Sequence, residues 1–177
     1  MIRSILLASL LALGACVAQP PAPVPVDPSY RDQNALIGVT SRFDADKFSG
    51  LWYVRAGFDP TISRMAFRMI DTPKGHSMRL GVFVCDGGGV CGDYAEDLPA
   101  TKNGKGRYSV KMPNGQTREF WVLWVDEGFR TAVLGNKQGD FGWIVDRSTT
   151  GGADRIKAAR EILDFNGYNV SLLRTVK

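Results

Sequence analysis

The stretch FSGLWYVRAGFDP, residues 48–60, indicates how this chain of 177 residues begins to fold. Beyond Gly50 the side chains alternate, which is typical of a β-strand because successive residues point to opposite faces. One face carries Trp52, Val54 and Ala56, and the other carries Leu51, Tyr53 and Arg55. A large ring at the very start of a strand, two positions after a residue without a side chain, predicts a place where the chain turns and closes off an apolar interior.

Seven further β-type runs follow the first one. Together the eight runs cover residues 51–58, 64–71, 76–85, 91–97, 106–112, 118–125, 128–135 and 140–147. The breaks between them are rich in Gly, Pro, Asn and Asp, and most have the length of a hairpin turn. The pattern predicts an all-β fold, an eight-stranded antiparallel up-and-down barrel, because a sheet that closes on itself has no free edges.

The pattern changes after residue 150. In GGADRIKAAREILDFNGY, residues 151–168, Ile156, Ala159 and Leu163 have helical spacing, and Gly167 is placed as a C-terminal cap. We therefore expect a C-terminal α-helix packed outside the barrel. The run NVSLLRTV, residues 169–176, predicts a short final strand beside it.

The N-terminal region has the composition of an export signal and a spacer. An early cation, Arg3, precedes an apolar run that is too short to span a bilayer. The sequence LGAC, residues 13–16, resembles the bacterial lipobox, in which the cysteine is acylated. Five prolines between residues 20 and 28 exclude helix and sheet there. We predict a lipoprotein signal peptide at 1–15, a lipidated Cys16 with a Pro-rich tether at 16–41, and one barrel domain at 42–177.

Charge, histidine and cysteine content argue against several classes of function. The net charge of +4 comes from cations that are mixed with acids, so no nucleic-acid stripe is evident. His76 is the only histidine, and no nucleophile elbow or phosphate loop is present, so we expect neither an enzyme nor a metal or other cofactor. Cys85 and Cys91 flank a glycine-rich turn and, in an exported protein, predict a disulfide.

Charged residues suggest which strand faces point inward. Arg64 and Arg68 occupy one face of the second run, and Arg107 and Lys111 one face of the fifth, and such cations are not buried without partners. The run 118–125 is apolar on both faces, so its orientation stays open. The predicted ligand-binding residues are Met65, Phe67, Met69, Leu80, Val82, Tyr108, Val110, Phe120, Val122 and Trp124.

Arg147 ends the eighth run, which should lie beside the first strand when the barrel closes. A cation in that position can stack on the ring of Trp52. We therefore predict that Trp52 and Arg147 pair at the closed end of the barrel, where Gly50 lets the chain turn beneath it.

Three segments resemble the motifs of the lipocalin family. FDADKFSGLWYV, residues 43–54, is similar to the first, a short helical turn before Gly-x-Trp-Tyr. FRTAVLG, residues 129–135, stands in the place of the second without its Thr-Asp-Tyr core, and GWIVDR, residues 142–147, resembles the third. With its lipobox and compact loops, the chain is most similar to the bacterial outer-membrane lipoprotein lipocalins.

This resemblance implies a lipid-anchored, periplasm-facing protein of the outer membrane. It would bind and store or transport small hydrophobic ligands such as fatty acids, phospholipids or lysophospholipids, with Gly50, Trp52 and Arg147 as its structural signature. Two alternatives stay open. An eight-stranded barrel can be filled by its own side chains, and barrel-type periplasmic lipoproteins also include binders of protein partners, such as protease inhibitors.

Overall fold

Eight antiparallel strands form a closed barrel in the computed structural model, which describes residues 29–58, 64–72, 75–85 and 91–176. The elements, in chain order, are α1 (Ala45–Phe48), β1 (Gly50–Gly57), β2 (Arg64–Thr72), β3 (Gly75–Cys85), β4 (Cys91–Gly104), β5 (Arg107–Lys111), β6 (Thr117–Val125), β7 (Thr131–Gly135), β8 (Gly142–Asp146), α2 (Ala153–Phe165), a 3-10 turn (Val170–Leu172) and β9 (Arg174–Thr175).

Each strand from β1 to β7 pairs with the next one along the chain, and β1 also pairs with β8, which closes the barrel. The first half of β1 pairs with β2, and its last two residues, Ala56 and Gly57, pair with β9. The predicted fold is therefore confirmed: an antiparallel eight-stranded barrel with one C-terminal helix and a short extra strand. Only β4 differs markedly in length, because its pairing with β3 and β5 continues past residue 97.

The barrel has two ends of different character. At the closed end, α1 lies against the start of β1, next to the β4–β5 and β6–β7 turns. The opposite end, which we call the mouth, carries the β5–β6 turn and the β7–β8 loop (136–141). The helix α2 runs along the outside from the closed end, where Arg155 bonds Thr131 and Asp146, to the mouth, where Tyr168 reaches the β7–β8 loop.

Two apolar clusters hold the domain together. The interior cluster takes side chains from all eight barrel strands and from α1. The outer cluster lies between the barrel wall and α2, and Ala159 and Leu163 of the helix are completely buried there. The helical spacing of these two residues predicted this contact face.

β-Bulges decide which side chains belong to which cluster. The ladder shifts between Val122 and Trp124 in β6 and between Val54 and Ala56 in β1. A bulge adds one residue to a strand, so the alternation of faces reverses beyond it. Trp124 therefore packs in the outer cluster, and its predicted place on the inward, ligand-binding face is wrong. Ala56, expected on the same face as Trp52, is on the outer side for the same reason.

Residues 29–41, within the predicted tether of 16–41, pack on the barrel and on α2. Arg31 is buried and donates from Nε to the carbonyl of Asn166 at 2.8 Å and from Nη1 to that of Lys137 at 3.1 Å. The ring of Tyr30 stacks on Phe58, with centroids 5.2 Å apart. The packed part of the chain therefore includes Ser29 onward, whereas residues 16–28 lie outside the described residues.

Tyr168, just beyond α2, joins the helix to the mouth. Gly167 precedes it with φ of 85°, a left-handed conformation that suits the predicted C-terminal cap. The Tyr168 hydroxyl accepts from the amide of Asn136 at 2.9 Å and lies 3.0 Å from the Phe141 carbonyl, to which it can donate. Burial raises the pKa of Tyr168 to about 12, because the buried phenolate is poorly solvated.

Alkaline titration tests this link. A raised folded-state pKa means that the neutral phenol stabilises the fold below about pH 10 and that this contribution is lost as pH rises to about 12. The two-unit window corresponds to roughly 2–3 kcal/mol. We expect Tyr168→Phe to flatten this part of the pH dependence of the unfolding free energy, measured by denaturant titration. Identical alkaline slopes in wild type and Tyr168→Phe would contradict the assignment.

Candidate functional site

The closed end is sealed by Trp52 and Arg147, which the fold brings together. Trp52 is fully buried, and its Nε1 donates to the carbonyl of Phe48 at 2.8 Å. The guanidinium carbon of Arg147 lies 3.7 Å from the centre of the tryptophan ring. The same guanidinium donates to four backbone carbonyls, those of Lys47, Ser49, Leu51 and Phe129. One side chain thus ties α1, β1 and the β6–β7 turn to the end of β8.

The conformation of Gly50 explains why a glycine precedes this tryptophan. Its φ is 90°, in the left-handed region that disfavours other residues. A Cβ at this position would also lie 3.2 Å from Nη1 of Arg147. A side chain here would press on the guanidinium that holds the closed end.

The β6–β7 turn is held by the carboxylate of Asp126, and this positions the Phe129 carbonyl that accepts from Arg147. Asp126 accepts from the amides of Arg130 and Thr131, each at 2.6 Å, and Phe129 adopts φ of 51°. Burial alone would raise the pKa of Asp126, but these hydrogen bonds outweigh it and hold the pKa below its ordinary value. The Asp126 carboxylate thus fixes the conformation of a turn next to residues 129–135, which lack the Thr-Asp-Tyr core of the second lipocalin motif.

A small cavity of about 250 Å³ lies beside α1 at the closed end. It is lined by Ala45, Asp46, Phe48, Ser49, Met69 and Tyr108. Sites for drug-sized ligands usually measure roughly 300–1,000 Å³. This cavity alone is therefore small for such a ligand, although Met69 and Tyr108 also belong to the interior cluster.

Four aromatic side chains fill the barrel below the mouth, and we call them the aromatic floor: Phe67, Phe120, Phe141 and Trp143. Their ring centroids are 4.6 to 6.0 Å apart in the contacting pairs. Each is at most 5 % exposed. The floor therefore limits how far anything that enters through the mouth can reach.

Above the floor, inward-facing apolar side chains are less completely covered. Met65, Leu80 and Met112 are only partly buried, although they pack on the interior cluster. Their strand neighbours two residues deeper, Phe67, Met78 and Val110, are at most 2 % exposed. Apolar surface thus remains open at the mouth and disappears with depth.

A charged pair stands at the rim of this apolar opening. Arg118, two residues before Phe120 on the same face of β6, donates from Nε to Asp140 at 3.1 Å. Its guanidinium carbon lies 5.7 Å from the centre of the Phe141 ring. The mouth therefore combines an apolar wall with hydrogen-bonding groups at its edge.

Most of the predicted ligand-binding residues face the interior. Met65 and Leu80 line the mouth, Phe67 and Phe120 form part of the floor, and Met69, Tyr108, Val110 and Val122 lie in the interior cluster. Trp124 is outside, as described above. The side chain of Val82 lies outside the described residues, so its place stays a prediction.

The predicted covalent modifications cannot be located in the described part of the chain. Cys16 lies outside the described residues. Cys85 and Cys91 are opposite each other in the β3–β4 ladder, as a cross-strand disulfide requires. Their side chains are outside the described set, so the disulfide stays a prediction.

Sequence reasoning missed Phe141, Trp143 and Arg118, and it placed Met112 on the face of Tyr108 and Val110 without including it among the ligand-binding residues. Trp143 lies in the interior cluster and its neighbour Ile144 in the outer cluster, and both are buried. Because the run around them is apolar on both faces, the sequence did not show which of the two faces the interior. Phe141 lies in a loop, where strand periodicity does not apply. Arg118 could have been found, because it shares the inward face with Phe120, but a cation was not expected there.

The described residues offer neither a metal cluster nor a membrane-spanning helix. Among residues 29–58, 64–72, 75–85 and 91–176, no group of three or more His, Cys, Asp or Glu side chains is placed to hold a metal ion. Within the same residues, no helix is sufficiently long and apolar to cross a membrane.

Solved structures share this architecture over most of their length. Insecticyanin from the tobacco hornworm Manduca sexta superposes with a TM-score of 0.58 at 15 % identity, covering 85 % of this chain and 87 % of that one. The chain has the lipocalin fold. Lobster apocrustacyanin A1 gives a TM-score of 0.56 at 14 % identity, covering 74 % of this chain and 77 % of that one. The cockroach allergen Per a 4 gives a TM-score of 0.58 at 10 % identity, covering 82 % of this chain and 96 % of that one.

These identities are low, so the likeness concerns the lipocalin fold alone. Comparison of the sequence with protein-family models and with curated proteins finds no match.

The contribution of the closed end to stability can be measured directly. Trp52→Ala removes a fully buried ring, and we expect a loss of about 3–5 kcal/mol of unfolding free energy. Arg147→Lys retains a charge but loses the planar guanidinium and its several hydrogen bonds, and we expect a loss of about 1–2 kcal/mol of unfolding free energy. Thermal and denaturant unfolding provide both values.

Trp121→Ala is the matched control for this measurement. The guanidinium carbon of Arg107 also stacks over the Trp121 ring, 4.2 Å from its centre. Trp121, however, lies on the outside of the barrel and is only partly buried. A smaller loss than in Trp52→Ala is expected. Comparable small losses in all three variants would show that Trp52 and Arg147 do not seal the barrel.

Proposed function

We propose that the barrel binds a small, largely apolar ligand through its mouth. One observation carries the proposal: Met65, Leu80 and Met112 face inward at the mouth but are only partly buried, whereas the side chains deeper on the same strands are almost completely covered. A ligand that covers this inward apolar surface removes it from water, which favours binding. The proposed activity is binding, without a catalytic step.

The chemistry of the mouth supports an amphipathic ligand. Methionine side chains are flexible and polarizable, so Met65 and Met112 can adapt to acyl chains of different shape. Arg118 and Asp140 stand at the rim, where a polar head group would remain when the apolar part is inside. Fatty acids, phospholipids and lysophospholipids have this division into head and tail.

The aromatic floor sets the depth of the proposed site. With the floor side chains closely packed, the ligand tail occupies the upper part of the barrel. Each methylene that is buried contributes roughly 0.8 kcal/mol, so a partly inserted acyl chain can reach micromolar affinity after the costs of association. A tail that reaches deeper requires Phe67 or Met69 to move towards the cavity at the closed end.

We further propose that the protein is a lipoprotein of the bacterial outer membrane, facing the periplasm. The support is the LGAC sequence at residues 13–16 and, beyond it, Val17, since an aspartate at that position would favour retention in the inner membrane by resemblance to other lipoproteins. Two or more acyl chains on Cys16 would make a stable anchor. The barrel would then store or transport ligands that are themselves membrane lipids or their products.

Palmitate titration of a delipidated, anchor-free chain tests binding. Trp143 belongs to the floor, so its fluorescence should change on binding, and Trp143→Phe should remove most of that signal while calorimetry still detects binding. Met65→Glu places a carboxylate against the ligand, and we expect at least a tenfold loss of affinity, because the ligand would desolvate the charge.

Ala66→Glu is the matched control, because residue 66 is the strand neighbour of Met65 on the opposite face of β2. It should bind palmitate as wild type does. Equal affinity of Met65→Glu and wild type would place the ligand elsewhere. Absence of any binding by the wild type would support a barrel filled by its own side chains, and co-purification of a stoichiometric protease would support the protein-binding alternative.

Cys16→Ser tests the anchor. The variant cannot be acylated at residue 16, so we expect it to leave the membrane fraction on washing, whereas the wild type should need detergent. Mass spectrometry of the wild-type N-terminus should find acyl chains on Cys16. A Cys16→Ser protein that is retained as firmly as the wild type would refute the lipoprotein assignment.

A further inference from the structure

Large apolar side chains are exposed unevenly between the two ends of the molecule. Four are exposed among the described residues: Leu36 (92 %), Phe165 (84 %), Leu172 (49 %) and Leu51 (38 %). Leu51 stands near the closed end, at the start of β1. The other three lie on segments that meet near the mouth, and we call them the mouth-side patch.

Backbone contacts bring Leu36 and Phe165 to the same region. The amide of Asp32 donates to the Gly167 carbonyl at 2.9 Å, and Nε of Arg31 donates to that of Asn166 at 2.8 Å. Ala35, next to Leu36, packs closely on Gly167. A Cβ added to Gly167 would lie 2.5 Å from the Cβ of Ala35. Leu36 and Phe165 therefore project from two adjoining segments.

The same region is attached to the mouth. Tyr168 reaches the Phe141 carbonyl of the β7–β8 loop, as described above. The amide of Asn169, just before the turn that carries Leu172, donates to the Tyr30 carbonyl at 2.9 Å. After that turn, β9 pairs with the mouth end of β1 at Gly57. All three side chains of the patch thus belong to segments held at this end.

The N-terminal tether joins the domain at this end as well. Ser29 Oγ donates to the carbonyl of Gln138, and the Tyr30 amide donates to that of Gly139 at 2.7 Å, both in the β7–β8 loop. The segment between Cys16 and Ser29 can span about 40 Å when extended as polyproline. An anchor at Cys16 would therefore hold the mouth end within reach of the bilayer.

We propose that the mouth-side patch docks on the lipid bilayer surface, so that the mouth of the barrel faces the membrane. This inference rests on the lipid anchor of the proposed function. Leu36 and Phe165 project singly, with most of their surface exposed, and do not form a flat packed face. A fluid lipid surface can surround such projections individually, whereas a protein partner must match them in shape.

Tethering makes this contact effective even though the patch is small. An anchor raises the local concentration of lipid around the patch, so a weak contact suffices to set the orientation. A mouth that faces the bilayer lets a lipid pass between membrane and barrel over a short path. Ligand exchange would then occur at the surface from which the ligand comes.

Vesicle partitioning of an anchor-free chain that begins at Val17, without the apolar run of residues 1–15, measures the patch alone. We choose uncharged phosphatidylcholine vesicles without added fatty acid, at millimolar lipid, so that apolar contact is measured rather than charge. The double variant Leu36→Ser/Phe165→Ser should lower the partition coefficient by about tenfold, since two large apolar side chains leave the contact. Leu51→Ser, which removes the exposed leucine near the closed end, should leave the partition coefficient unchanged.

Orientation is then measured in the lipidated full chain. Phe165→Trp and Leu51→Trp place an extra reporter at the patch and near the closed end, respectively. In vesicles with brominated acyl chains, additional quenching is expected for Phe165→Trp and not for Leu51→Trp. Circular dichroism checks that both variants retain the β-sheet signal.

Several results would overturn the inference. Equal quenching of the two reporters, or no effect of the double variant on partitioning, would show that the patch does not contact lipid. A double variant that turns a dimer into a monomer and partitions like the parent would assign the patch to a second copy of the chain. A protein that docks as expected but takes up no palmitate would support this inference and refute the proposed ligand.

Discussion

The architecture depends on the stacking of one guanidinium over one buried indole ring. Arg147 lies 3.7 Å above Trp52 and donates to four carbonyls of three separate segments. The hydrogen bonds of a charged donor are stronger than those of a neutral one, so the partly buried guanidinium holds these segments where it can reach their carbonyls. The closed end is tied together as a result, and the proposed ligand site lies at the opposite end of the barrel.

From the closed end outward, the interior changes from complete to partial coverage. Side chains of α1 and the aromatic floor account for the well-packed part, and Met65, Leu80 and Met112 mark where it ends. The carboxylate of Asp146, tied to Thr131 and Arg155, holds α2 against the wall near the closed end. Tyr168 does the same near the mouth. The helix therefore supports the barrel along its length without covering its opening.

The N-terminal segment gives this barrel a second asymmetry. Residues 29–41 run from the β7–β8 loop past α2 to the closed end, and the buried Arg31 secures them through three backbone carbonyls. The exposed Leu36 and Phe165 lie where this segment meets the end of α2. Ligand entry, tether attachment and apolar projections are thus gathered at one end of the molecule.

Local sequence determined the number and order of the strands and the helix with its buried face, because alternation, helical spacing and turn residues are properties of neighbours in the chain. The pairing of Trp52 with Arg147 followed from the strand order, because closing an eight-stranded barrel brings its first and last strands together. Local sequence also placed Phe67, Met69, Tyr108 and Val110 inside, since cations occupy the opposite faces of their strands. The tertiary structure alone decided that Trp124 lies outside, because a bulge depends on the partner strand and reverses the alternation beyond it. It alone brought Arg31, Leu36 and Phe165 together, because contacts between residues 130 positions apart leave no periodic trace in either segment.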